Sequence, residues 1–174
     1  MKLILVDIHP GMVSAWQKEF AGMADVEIHQ GEVFDHPADA VVSPANSFGY
    51  LDGGIDLVYV TRFGWDLQAR LQEKIRQAHA GELPVGQALI IETMDHALPW
   101  LVSAPTMRTP MDVSGRPHAY LAMKAALSAV RDHNLLGVSV IQSILCPGLG
   151  TGIGNIPHME AAWQMARAWR EREE

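Results

Sequence analysis

One cysteine, Cys146, stands in 174 residues. An internal disulfide is therefore excluded, and a reducing compartment, the cytoplasm, is the expectation. Cationic residues are also in short supply: 13 Lys and Arg against 20 Asp and Glu give a formal net charge of −7, with a pI near 5.5. A sequence-independent grip on nucleic acid works by neutralising phosphates, so it is not expected here, and no Lys/Arg run appears. Long hydrophobic runs are missing as well. Leu3 to Val6 is closed by Asp7, too short for a secretory leader or a membrane span, so no membrane partner is expected.

Several chemical signatures are absent too. The eight histidines include no His-x-x-x-His, and the pairs His29/His36 and His118/His133 lack ligand spacing on one helix. No metal and no cofactor is expected. No Ser/His/Asp set has the context of a nucleophile elbow. Cys146, at the end of an apolar run and followed by Pro147, reads as an inert core thiol. The tryptophans at 16, 65, 100, 163 and 169 read as packing residues. There is no internal repeat, linker or low-complexity segment.

What is present reads as one domain over residues 1–174, whose 48% hydrophobic content is enough for a core without staples. Short apolar runs at 3–6, 26–29, 40–42, 87–92, 100–104 and 137–145 predict strands. Helical spacing predicts helices near 10–20, 54–79 with a bend or split at Gly64, 117–133, and from Pro157 towards the charged tail at 167–174. Asp7 reads as a cap for the first helix. The near-continuous apolarity of Ala40 to Val42 suits a strand covered on both faces. Strands alternating with helices specify an α/β fold, in which ligands gather at the carboxyl ends of the strands.

Two glycine-bearing loops fall at such ends. Asp52-Gly53-Gly54-Ile55-Asp56 follows the strand ending near Asn46 and opens a helix with an acid in its first turn. Gly148-Leu149-Gly150-Thr151-Gly152-Ile153-Gly154 follows the last strand. A helix start gathers backbone N–H groups and positive potential, and glycine permits close approach of the backbone, so both loops suit a diphosphate. Neither matches G-x-G-x-x-G or a P-loop by itself. Taken one at a time, Asn46 is also a turn residue and Asp56 a favourable first-turn acid. The segment 105–116, rich in Pro, Thr and Met, reads as a mobile surface loop able to lie over a ligand.

In order along the chain, Gly31-Glu32-Val33, Val42-Ser43-Pro44-Ala45-Asn46, Gly53-Gly54-Ile55-Asp56, Pro84-Val85-Gly86-Gln87-Ala88 and Cys146 to Pro157 resemble the motifs of the macrodomain family, over roughly residues 26 to 170. The resemblance implies a three-layer α/β/α sandwich with a central mixed sheet. It implies ADP-ribose, or an ADP-ribosylated substrate, as the partner. Glu32, beside Val33, would accept from the adenine amino group. The Gly53, Gly54 and Ile55 backbone would hold one phosphate, with Ala45 among the ligand-binding residues. Gly150, Thr151, Gly152 and Ile153 would hold the other phosphate and the distal ribose, with Gly148 and Gly154 of the same loop among the ligand-binding residues.

Asn46 would bind that ribose, and Asp56 would orient or deprotonate a water for attack at its anomeric carbon. Metal-independent hydrolysis of ADP-ribosyl linkages is the implied activity. A non-catalytic reader and a phosphatase of ADP-ribose-1''-phosphate stay open as alternatives. The chain departs from the family pattern at Ser43, Leu51, Asp52 and Gly154. Asp52 would need an outward orientation or a base such as Arg62 or Arg108, and Phe48 or Tyr50 would have to replace the aromatic face missing at Gly154.

Overall fold

The computed structural model describes residues 1–137 and 139–172. Its centre is a six-stranded sheet built from β1 (Lys2–Asp7), β2 (Val26–Gln30), β3 (Ala40–Ser43), β4 (Leu89–Glu92), β5 (Trp100–Ser103) and β6 (Ser143–Cys146). Their spatial order is β2-β1-β6-β3-β5-β4. All neighbours run parallel except β4, which is antiparallel to β5. The sheet is thus mixed, and its five parallel strands end on one edge.

Side chains alternate across a strand, and β1 shows the consequence. Leu3 and Leu5 face a core built with α1 (Pro10–Glu19), α4 (His118–Leu135) and α5 (His158–Arg170). Ile4 and Val6 face a second core with α2 (Gly54–Phe63) and α3 (Asp66–His79). Helices on both faces make the three-layer α/β/α sandwich. The long amphipathic stretch is split where expected: Gly64, at φ +90°, ends α2.

Two strand boundaries are shorter than the apolar runs predict. The run 137–145 yields pairing only from Ser143, because the backbone before it is taken by side chains. Asn134 bonds both the N–H and the carbonyl of Ile141, at 2.8 and 3.0 Å. Asp39 Oδ2 accepts the N–H groups of Gln142 and Ser143 at 2.8 and 2.9 Å. Val138, inside the same run, lies outside the described residues. Gln87, expected in β4, instead closes a turn to the Pro84 carbonyl at 3.0 Å.

The charged tail ends α5 at Arg170, and residues 173–174 lie outside the described residues. Trp16 and Trp169 pack in the core and Trp100 is half-buried. Trp65 and Trp163 correct the packing assignment, since both are exposed. Leu51, at a position where the resembled motif has glycine, is a fully buried plug of the second core.

Candidate functional site

The loops that follow β1, β2, β3, β5 and β6 meet around a cleft of about 500 Å³. Every candidate residue from the sequence lies on its wall. Glu32 and Val33 come from the turn after β2. Ala45, Asn46, Gly53, Gly54, Ile55 and Asp56 come from the loop after β3 and the start of α2. Gly148, Gly150, Thr151, Gly152, Ile153 and Gly154 come from the loop after β6. The parallel topology is the reason: strands running the same way bring their following loops to one edge.

No side chain caps the start of α2. The first-turn N–H groups, which a helix cannot satisfy internally, therefore remain available at the cleft. In the second loop, glycine is required by close approach. A Cβ on Gly148 would lie 2.8 Å from Thr151 Oγ1 and 2.9 Å from Asp7 Oδ2. A Cβ on Gly154 would lie 2.6 Å from the Gly150 carbonyl oxygen and 2.9 Å from Val113 Cγ2, so no aromatic ring fits at this position.

Asp56 is the most perturbed acid of the cleft. It is 7% exposed, and the buried Ser43 hydroxyl donates to its Oδ1 at 2.5 Å. Burial pushes its carboxyl up to about 7; the Ser43 hydrogen bond opposes this and the Asp52 charge adds to it. A carboxyl poised near neutrality is suited to taking and returning protons. Cys146, at the end of β6, is buried and its thiol is pushed up by that burial, which keeps it protonated and inert.

Asn46 is occupied differently from the sequence expectation. Its Oδ1 accepts from the N–H groups of Phe48 and Tyr50 at 3.0 and 3.4 Å, and its Nδ2 donates to the Tyr50 carbonyl at 3.0 Å. The side chain holds its own loop, the turn role that the isolated residue suggests. Asp52 is exposed on the cleft wall, and neither suggested base reaches it. Arg62 pairs with Asp95 at 2.9 Å and Arg108 with Glu82 at 2.7 Å. Of the two aromatic candidates, Tyr50 lines the cleft, whereas Phe48 lies under the Arg108 guanidinium.

The expected mobile lid is anchored instead. Thr106 N–H bonds the Ala45 carbonyl at 3.1 Å, Arg108 accepts from Ser47 at 3.1 Å, and Val113 N–H bonds the Gly154 carbonyl at 2.8 Å. Asn155 Nδ2 adds a bond to Asp112 Oδ2 at 3.0 Å. This segment is a wall of the cleft, to which it contributes Thr106, Met107 and Pro110.

Sequence reasoning missed Asp7, His9 and His158. Asp7 does not cap α1, whose N-cap is His9 without a side-chain cap bond. Its Oδ1 accepts from the His9 N–H at 2.9 Å and contacts His9 Nδ1 at 2.8 Å, while its Oδ2 accepts from Gly148 N–H at 3.1 Å. His158 opens α5 with its ring 5.9 Å from that of His9. The rule that ligands gather at the ends of parallel strands, applied to β1, would have found Asp7 and His9.

Asp7, Glu32, Asp52 and Asp56 line the cleft, and no lysine or arginine does. An anionic ligand would therefore depend on backbone N–H groups of the glycine loops and on helix starts. Among the described residues, no cluster of His, Cys, Asp or Glu has the arrangement to hold a metal ion, and no helix is long and apolar enough to cross a membrane.

Comparison with known proteins adds the following. A family model described as Macro domain matches residues 42–165. An uncharacterised protein of Aquifex aeolicus is 29% identical over 149 residues, covering 86% of this chain and 83% of its own. One from Aeropyrum pernix is 32% identical over 143 residues, covering 81% and 68%. Among solved structures, the macrodomain of Mycobacterium tuberculosis DarG superposes with a TM-score of 0.68 at 18% identity, over 82% of this chain and 88% of that one. A mutant Oceanobacillus iheyensis macrodomain with ADPR also gives 0.68, at 19% identity, over 83% and 76%.

Proposed function

This chain belongs to the macrodomain family, and from that premise we propose that its cleft binds ADP-ribose and that Asp56 serves hydrolysis of an ADP-ribosyl linkage. The observation that carries the reading is Asp56 itself, a buried carboxyl held near pH 7 on the cleft wall, in the first turn of an uncapped helix. The α2 start and the Gly148–Gly154 loop bind the diphosphate through backbone N–H groups. Glu32 accepts from the adenine amino group. Asn46 keeps its loop in shape and offers its second amide hydrogen to the distal ribose.

The reaction follows from those positions. Cleavage at the anomeric carbon passes through an oxocarbenium-like centre, which the diphosphate and the Asp56 carboxylate stabilise. Asp56 takes a proton from the attacking water as the bond to the leaving group breaks. No metal is needed for these steps, and a cytoplasmic setting agrees with the single, reduced cysteine.

Calorimetric titration with ADP-ribose, with AMP and ribose-phosphate as controls, tests binding. Micromolar affinity for ADP-ribose and much weaker affinity for AMP are expected, because AMP reaches neither the second phosphate site nor the ribose site. Asp56→Ala should then abolish release of ADP-ribose while leaving binding largely intact; equal turnover in the variant would sink the mechanism.

The second reading is a reader without turnover, favoured by the engagement of Asn46 in its own loop. It predicts binding with no release from amino-acid-linked, nucleobase-linked or phosphate-linked ADP-ribose. Release of inorganic phosphate from ADP-ribose-1''-phosphate would point to phosphatase activity instead.

A further inference from the structure

Two buried hydroxyls lie outside the lining of the cleft, one of them bonded to Asp56. Ser43 ends β3 and Ser103 ends β5, and they are register partners in parallel strands, both fully buried. Partners of this kind project to the same face from strands roughly 4.8 Å apart, within reach of one side-chain rotation. Ser43 gives its hydrogen to Asp56 Oδ1. Ser103 Oγ has no hydrogen-bond partner among the described residues, a costly state for a buried hydroxyl.

A carboxyl that takes up a proton gains an O–H donor on the oxygen that carries it and keeps the other oxygen as an acceptor. While Asp56 is ionised, the Ser43 hydrogen points at it. Once Oδ1 carries a proton, Ser43 Oγ must accept, and its own hydrogen needs another acceptor. Ser103 Oγ stands on the neighbouring strand at the same register.

We propose that Asp56 takes its proton on Oδ1 and that Ser43 and Ser103 form a buried hydroxyl relay that reverses direction each time this oxygen gains or loses it, making both of them positioning residues for the base. The catalytic meaning of the relay rests on the hydrolase reading. In that step the water oxygen bonds to the anomeric carbon, the bond to the leaving group breaks and its electron pair departs with that group. The water proton passes to Asp56. The Ser43 hydrogen swings from Asp56 to Ser103 and swings back when Asp56 returns the proton to the leaving group or solvent.

Asp52, before α2, raises the Asp56 carboxyl by its charge. Tyr59, one turn along α2, donates to the Val42 carbonyl at 3.0 Å and is held protonated by burial. Asp7, at the end of β1, acts on Tyr59 by its charge, and Cys146, at the end of β6, is a neutral buried thiol.

The test is a carbon-13 NMR titration of aspartate-labelled protein, with D56N identifying the Asp56 carboxyl signal. S43A removes the donor to the carboxylate, so the midpoint should rise by about one pH unit. S103A removes the acceptor for the turned hydrogen, which destabilises the protonated form, so the midpoint should fall by roughly half a unit. S43T keeps the hydroxyl and should titrate with the wild type. A midpoint in S103A at or above the wild-type value overturns the relay, and so does an S43A midpoint that does not move.

Should S43A fail to fold, S103A decides alone. The titration needs no turnover, so the two readings fail separately. Shifted midpoints without hydrolysis leave the relay standing and remove the hydrolase, whereas hydrolysis with unshifted midpoints does the reverse. In an active enzyme the acid limb of the pH–rate profile moves with each midpoint.

Discussion

Asp7 and Gly148 are joined across the sheet by a hydrogen bond of 3.1 Å, in which the Gly148 N–H donates to Asp7 Oδ2. The end of the first strand thereby fixes the start of the last glycine loop, and the same carboxyl orients His9. Residue 7 precedes the segment 42–165 matched by the family model, so the amino-terminal unit supports the site from outside that segment.

Asp7→Ala should weaken ADP-ribose binding about 5- to 10-fold, the loss of roughly one charge-assisted hydrogen bond holding the loop. Asp7→Asn, which retains an acceptor oxygen, should lose less. Calorimetry with both variants measures this, and equal affinities for Asp7→Ala and wild type would show that the loop holds its shape unaided.

Asp52→Asn should tighten ADP-ribose binding about 2- to 5-fold at low ionic strength, by removing a carboxylate that faces the anionic ligand without a base beside it. The gain should fade in high salt, where exposed charges are screened. The midpoint of Asp56 should fall in the same variant, since Asp52 raises it. A salt series of titrations separates this from a change in loop shape.

Stability should depend on pH through Asp56. Its folded value, about 7, lies above the ordinary aspartate value of 3.8, so the native state holds more protons than the unfolded state between those values. The contribution is fully present below about pH 4 and is lost as pH rises towards 7, at up to ~1.4 kcal/mol per pH unit. Asp112 and Glu171, both lowered to about 2, act in the opposite sense and lose stability as pH falls through the acid range. Denaturant unfolding at pH 4.5 and 7.5 should show a difference that Asp56→Asn flattens; an unchanged slope in that variant would place the burial cost elsewhere.

Gly154→Ala should destabilise the fold by about 1–3 kcal/mol, because the new methyl meets the rigid Gly150 carbonyl and Val113. Val113 is fully buried and its N–H bonds Gly154, so neither side yields freely. Thermal unfolding reads the loss directly, and ADP-ribose binding should weaken with it as the second loop shifts.

Much of the architecture was legible from local pattern. The apolar run of Leu3 to Val6, the split at Gly64 and the two glycine loops at strand ends depend on residues close in sequence, where periodicity and turn chemistry act. The overlong sixth strand shows the limit of that reasoning: apolar residues before Ser143 look like strand, but Asn134 and Asp39 capture their backbone. The site followed the same division. The wall residues were readable because their motifs recur in order, whereas Asp7, His9 and His158 carry no motif and are joined to the cleft only by folding.

The sequence by itself determined the class of fold, the family resemblance and the two glycine loops that line the cleft, since these depend on composition, spacing and short motifs. Tertiary structure alone decided the chemistry of individual groups. Asp56 sits near neutrality because β3 and α2 bury it against Ser43. Asn46 is drawn into its own loop, and Arg62 and Arg108 are held by Asp95 and Glu82 away from Asp52. Burial, hydrogen-bond partners and neighbouring charge set these properties, and each depends on side chains that meet only when the layers close.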